Sequence, residues 1–157
     1  MHIRVDTSEQ IMELFLGGGI QRRYPVSTAK NGLGEQQDSG CTPRGLHYVR
    51  CKIGAGLSKN TIFIARRPQE IGYSSDLEKK KPGEDWILSR ILWLSGLQCG
   101  MNRLGPVDTM RRYIYIHGTP PSGISGKPES KGCIRMFQND IIELFDLITV
   151  GCRVFIY

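Results

Sequence analysis

Two short segments of this 157-residue chain carry side chains able to do covalent chemistry: Ile116-His117-Gly118-Thr119, and Ser130-Lys131-Gly132-Cys133-Ile134-Arg135-Met136. A thiol near cationic Lys131 and Arg135 is expected to favour its thiolate, against an ordinary pKa of about 8.5. Gly132 removes side-chain bulk just before it, so a substrate carbonyl can approach backbone N–H groups. His117 ends an alternating run and is followed by Gly118, which leaves the imidazole reachable. The pair can act as nucleophile and general base, provided the fold closes the loop between them. Each residue also has a bland reading, because a free cysteine is commonly a small buried hydrophobe and a strand-end histidine a structural one. Other chemistries lack their residues. The cysteines, at 41, 51, 99, 133 and 152, form no C-x-x-C pair, and with three histidines no structural metal site is expected. The glycines match neither a phosphate-binding loop nor a G-x-S-x-G elbow, and no cofactor is implied.

The elements that must position these residues read as mainly β. Ile3 and Val5 alternate with polar neighbours, and residues 10–16 continue as a second strand. Gly17-Gly18-Gly19 supplies the positive φ of a hairpin turn. The return strand covers residues 20–28, with Pro25 marking an edge or a bulge. Residues 46–53 alternate again, and residues 61–65 fit a short buried strand. Residues 66–83 read as a long polar loop, whereas residues 86–97 fit a buried helix or two strands equally well. Tyr113, Tyr115 and His117 share one strand face, opposite Ile114 and Ile116. Ile141, Leu144, Phe145 and Ile148 recur at helical spacing, with Asn139 or Asp140 as the cap and Gly151 closing the segment. Residues 153–157 form a last strand. The expected architecture is a single domain over residues 1–157, a mixed-sheet β-sandwich with one clear helix near its C-terminus.

At the two reactive segments the chain resembles the L,D-transpeptidase catalytic domain (the YkuD-like family). That family's signature is a strand-end His-Gly, a variable loop, and then Ser/Thr-His-Gly-Cys followed by an Arg or Asn position. The opening strand pair, residues 24–28 with Thr42-Pro43-Arg44-Gly45, and the closing helix and strand look like the family's as well. The resemblance implies a Cys133 thiolate attacking a peptidoglycan stem tetrapeptide at its third residue, with His117 moving the proton. It further implies an oxyanion held by backbone N–H groups around Gly132 and Cys133, Ser130 orienting the loop or a substrate carbonyl, and Arg135 meeting a substrate carboxylate. An ion pair of Arg135 with Asp140 or Glu143 is the structural alternative. Lys131 departs from the signature, which has histidine there.

Composition is compatible with this reading without requiring it. With 39% hydrophobic and 23% charged residues the chain is neither disordered nor a coiled coil. Its net charge of +6 suits an anionic wall polymer, and no basic run is long enough to expect nucleic acid as a partner. No apolar stretch reaches the 18 residues of a membrane span, and the first residues lack the apolar region of a signal peptide. The resemblance implies action in the periplasm or cell wall; the missing signal leaves the cytoplasm as the alternative. An L,D-carboxypeptidase, or a non-catalytic domain binding the cell wall, are the competing functions. Cys41, Cys51, Cys99 and Cys152 read as structural thiols, His47 as a satisfied strand histidine, and Trp86 and Trp93 as core.

Overall fold

The computed structural model describes residues 1–157. Eight strands make one sheet: β1 (His2–Asp6), β2 (Ile11–Leu16), β3 (Gly19–Ser27), β4 (Gly45–Ile53), β7 (Leu88–Gly96), β8 (Tyr115–Thr119), β9 (Ile134–Phe137) and β10 (Arg153–Ile156). The order β1-β10-β4-β7-β8-β9-β3-β2 returns to its start, so the strands close into a barrel. The sheet is mixed, as expected: β1/β10 and β8/β9 are parallel, and the other pairs are antiparallel. Closure removes the free edges that an open sandwich would leave.

The core follows from alternation. Ile3 and Val5, Met12 and Leu14, Leu92 and Leu94, Ile114 and Ile116, and Ile134 and Met136 all point into one apolar cluster. The main helix, α2 (Gln138–Leu147), turns Ile141, Leu144 and Phe145 into the same cluster, which Ile148 joins from just beyond its end. Burial of each such side chain contributes about 1.5–3 kcal/mol. The helix starts directly after β9, and its N-cap is Phe137, with no side-chain cap bond. The expected capping by Asn139 or Asp140 is therefore corrected. Glu143, within the helix, accepts bonds from Arg22 and Tyr24.

Residues 54–87 form a strap across the outer face of β7 and β8. The strap contains the hairpin β5 (Phe63–Ile64) and β6 (Arg67–Pro68), and a short helix, α1 (Ser75–Lys80). The long loop expected over residues 66–83 is thus partly ordered: Ser74 Oγ accepts from the Leu77 N–H and caps α1. The strap also explains the ambiguity of residues 86–97. That segment includes strand β7, which is covered on both faces, so it reads as a near-continuous apolar run.

Candidate active site

His117 lies on β8 and Cys133 immediately before β9, and the parallel register sets Ile116 beside Ile134 and His117 beside Arg135. Ile116 and Ile134 point into the barrel. Alternation therefore sends Tyr115, His117, Cys133 and Arg135 to the opposite, strap-covered face. Two local features demand glycine. A Cβ on Gly118 would stand 2.5 Å from the Leu88 carbonyl, blocking the approach of β8 to β7. Gly132 has φ +132°, and a Cβ there would meet Ile114 and the Cys41 carbonyl.

The imidazole is held in one tautomer. Its Nδ1 lies 2.8 Å from the Gly118 carbonyl oxygen, which can only accept; Nδ1 therefore carries the proton and Nε2 is the basic nitrogen. His117 is buried, and burial lowers its pKa, so the ring is neutral near pH 7. Asp85 acts in the opposite direction, raising it.

Cys133 Sγ donates to the Tyr113 carbonyl at 3.5 Å and accepts from the Tyr115 N–H at 3.4 Å, and no hydrogen bond joins it to His117. Phe63, Ile87 and Tyr115 belong to the apolar cluster around it. Burial pushes the thiol pKa up to about 12; the Tyr115 N–H, Arg135 and Arg112 act against this, and Asp85 adds to it. The expectation of a favoured thiolate is therefore overturned. Lys131 is exposed, and desolvation outweighs Arg135. Desolvation thus favours the neutral form of both the thiol and the imidazole.

The remaining predicted residues divide by role. Ser130 is buried, donates to the Cys133 carbonyl at 2.5 Å and accepts the Gly132 N–H at 3.2 Å, so it brackets the reactive turn. The Gly132 N–H thus bonds to Ser130 Oγ, and the two residues together shape the turn. Arg135 pairs with Asp85 at 2.6 Å, not with Asp140 or Glu143. Its Nε is buried without a partner. Tyr113 lies outside β8, in a turn at φ +56°, and Trp93 is half-buried on the outer face instead of in the core.

Several contributors were not singled out from the sequence. Asp85 comes from the strap. Thr42 donates to the Gly132 carbonyl and accepts from the Ala29 N–H. Arg112 donates to the carbonyls of Gly34, Glu35 and Cys41 and to Ser39 Oγ, fixing the loop behind the thiol. Arg66, at the tip of the β5–β6 hairpin, donates to Tyr115 Oη. Their partners are tens of residues away in the chain, so no local pattern marks them. A polar cleft of about 320 Å³ runs beside this face, lined by Glu78, Asp85, Ser122, Lys131 and Arg135 among others. An apolar cleft of about 390 Å³ adjoins it, sharing Glu84, Asp85 and Trp86. The polar cleft reaches the site through Thr119, Lys131 and Arg135, and no group of residues there could ligate a metal.

The sequence model described as "L,D-transpeptidase catalytic domain" (YkuD) matches residues 1–156. A Bacillus subtilis protein named as the L,D-transpeptidase YkuD is 46% identical over 116 residues, covering 69% of this chain and 64% of that protein. A Fuscovulum blasticum protein named as an L,D-transpeptidase is 28% identical over 120 residues, covering 71% of this chain and 63% of that one. This chain thus spans less than two thirds of the length of these relatives. Among solved structures, an L,D-transpeptidase from Xylanimonas cellulosilytica aligns with a TM-score of 0.57 at 18% identity, covering 99% of this chain and 59% of that one. L,D-transpeptidase 3 from Mycobacterium tuberculosis aligns at 0.59 and 15%, covering 98% and 58%. These structural likenesses concern the fold.

Proposed function

This chain belongs to the family of the L,D-transpeptidase catalytic domain (YkuD), and from that premise we propose that residues 1–157 form one catalytic domain, a cysteine acyltransferase acting on peptidoglycan stem peptides. The observation that carries the reading is the one-way bond from His117 Nδ1 to the Gly118 carbonyl. It leaves Nε2 as a base on the face that also holds Cys133.

In the proposed reaction the thiol leaves the Tyr113 carbonyl and gives its proton to Nε2 as sulfur attacks the carbonyl of the third stem residue. The Tyr115 N–H, already directed at the sulfur, stabilises the developing thiolate. Collapse of the tetrahedral intermediate breaks the amide to D-alanine, and the imidazolium returns the proton to the departing amine. A thioester remains on Cys133. The amine of a neighbouring stem then attacks it, forming the cross-link and regenerating the thiol. Starting from a neutral pair suits this sequence, because charge separates only when the substrate is present to use it. The substrate class places the work at the cell wall, and no helix of the protein is long and apolar enough to cross a membrane.

The test is incubation with a disaccharide-tetrapeptide, with and without a D-amino acid, followed by mass spectrometry, and with Cys133→Ala and His117→Ala as controls. Exchange of the terminal residue, lost in both variants, is the expected result. Loss of D-alanine alone would reassign the enzyme as an L,D-carboxypeptidase. No Cys133-dependent product from several stem peptides would leave a non-catalytic wall-binding domain.

A further inference from the structure

Arg66 stands at the tip of a two-residue hairpin loop in which both central residues have positive φ, Ala65 at +47° and Arg66 at +66°. Such loops normally carry Asn and Gly, so an alanine and an arginine here occupy a conformation that non-glycine residues rarely adopt. The result is a guanidinium laid over the nucleophile's own neighbours. It lies 4.8 Å from the ring centres of both Trp93 and Tyr113, and its Nη1 donates to Tyr115 Oη at 2.8 Å. Tyr113 and Tyr115 are the residues whose backbone atoms hold Cys133 Sγ.

The other arginines near the thiol already face protein groups, Arg135 with its buried Nε left unpartnered. Arg112 points into four protein acceptors, and Arg135 faces Asp85. Arg66 has a single hydrogen-bond partner and no carboxylate at ion-pair distance. Its aromatic platform satisfies the faces of the guanidinium and leaves most of its N–H edge free. A planar fork of donors held in this way matches a carboxylate.

We infer that Arg66 is a specificity-determining residue that binds a free carboxylate of the donor stem peptide beside Cys133. This deepens the proposed function and rests on that reading. Two carboxylates have the required chemistry: the side-chain carboxylate of the third residue, and the terminal carboxylate of the departing D-amino acid. Arg66 takes no part in bond making; it sets which donor is seated.

Three tetrapeptide donors distinguish the two sources: one with both carboxylates free, one amidated at the terminus, and one amidated on the third residue's side chain. In the wild-type chain, amidation of one of the two is expected to lower kcat/KM by about 10–100-fold, mostly through KM, the size of a lost charge-assisted bond. Arg66→Gln should process that amide and the free donor alike, and Arg66→Lys should recover part of the preference. Arg66→Gly relieves the positive φ and should match Arg66→Gln, which guards against a folding artefact. Equal handling of all three donors by the wild type, or an undiminished preference in Arg66→Gln, overturns the inference. Calorimetric binding of the same peptides to Cys133→Ala separates it from the reaction itself. An Arg66-dependent carboxylate preference in binding, without turnover by the parent chain, upholds the site and refutes the transferase. Turnover without that preference does the reverse, and neither binding nor turnover refutes both.

Discussion

The charge state of the resting thiol admits a direct measurement. With a pKa of about 12, the thiolate fraction of Cys133 at pH 7.5 is roughly 3 × 10⁻⁵, whereas an ordinary cysteine near 8.5 has about a tenth of its population ionised. The deficit is about three and a half decades. A more basic thiolate is also a better nucleophile, with a Brønsted coefficient of about 0.4–0.5, which returns about one and a half decades. Cys133 should therefore react with a small disulfide reagent about 100-fold more slowly in the native protein than in the urea-unfolded chain. The apolar wall of Phe63, Ile87 and Tyr115 can only add to the delay. The assay is peptide mapping by mass spectrometry after timed quenches, which resolves all five free cysteines. The native rate should keep rising about tenfold per pH unit through pH 9.5, while the unfolded rate levels off near its own pKa. The native protein also holds this proton above pH 9, where the unfolded chain loses it, so stability should decline as pH climbs past about 9. A native rate equal to the unfolded one at pH 7.5, levelling off below pH 9, would show a pre-formed thiolate and refute the neutral-pair argument.

Other outcomes follow from particular contacts. Burial lowers the pKa of His47 to about 4, so below 6.5 the unfolded chain binds the proton first and stability falls with pH. Urea titrations should show about 2 kcal/mol lost at pH 5 and about 3 kcal/mol below pH 4 from this residue; an unchanged pH profile in His47→Gln would contradict it. Ser130→Ala strands the Gly132 N–H and should cost about 1–3 kcal/mol of stability together with a fall in kcat, whereas normal values for both would exclude the bracketing role. Asp85→Asn removes the carboxylate that raises the His117 pKa, so the imidazole signal in NMR should titrate at still lower pH; movement upward would refute the assignment. Gly118→Ala places a Cβ 2.5 Å from the Leu88 carbonyl and should destabilise by about 1–3 kcal/mol, read as a lower urea midpoint.

How much of this was legible in the sequence depended on the range of the interactions. The strands at residues 2–6, 11–16 and 45–53 and the apolar side of α2 follow from local periodicity, which survives in any context that buries one face. The expected cap of α2 failed because the helix starts straight from β9, where Phe137 leaves no side-chain acceptor. Trp93 left the core for the outer face because β7 is covered on both sides, by the barrel core on one and by the strap on the other, a fact of tertiary structure. Arg135 was foreseen as charged and near the thiol, but its partner was not, since Asp85 lies 50 residues away.

The chemistry on offer is written in the chain: a thiol after a glycine, an imidazole before one, and a mainly β frame to carry them. Spacing of residue types sets such things, because covalent reactivity and strand alternation are local. Tertiary structure alone decided the rest. It closed the sheet into a barrel, so that alternation brought His117 and Cys133 to one face. It oriented the imidazole through a neighbouring carbonyl and packed the half-buried Cys133 against an apolar cluster that includes Phe63 and Ile87 of the strap. That desolvation favours the protonated Cys133 thiol, because removing water from a thiolate costs more than a nearby guanidinium returns.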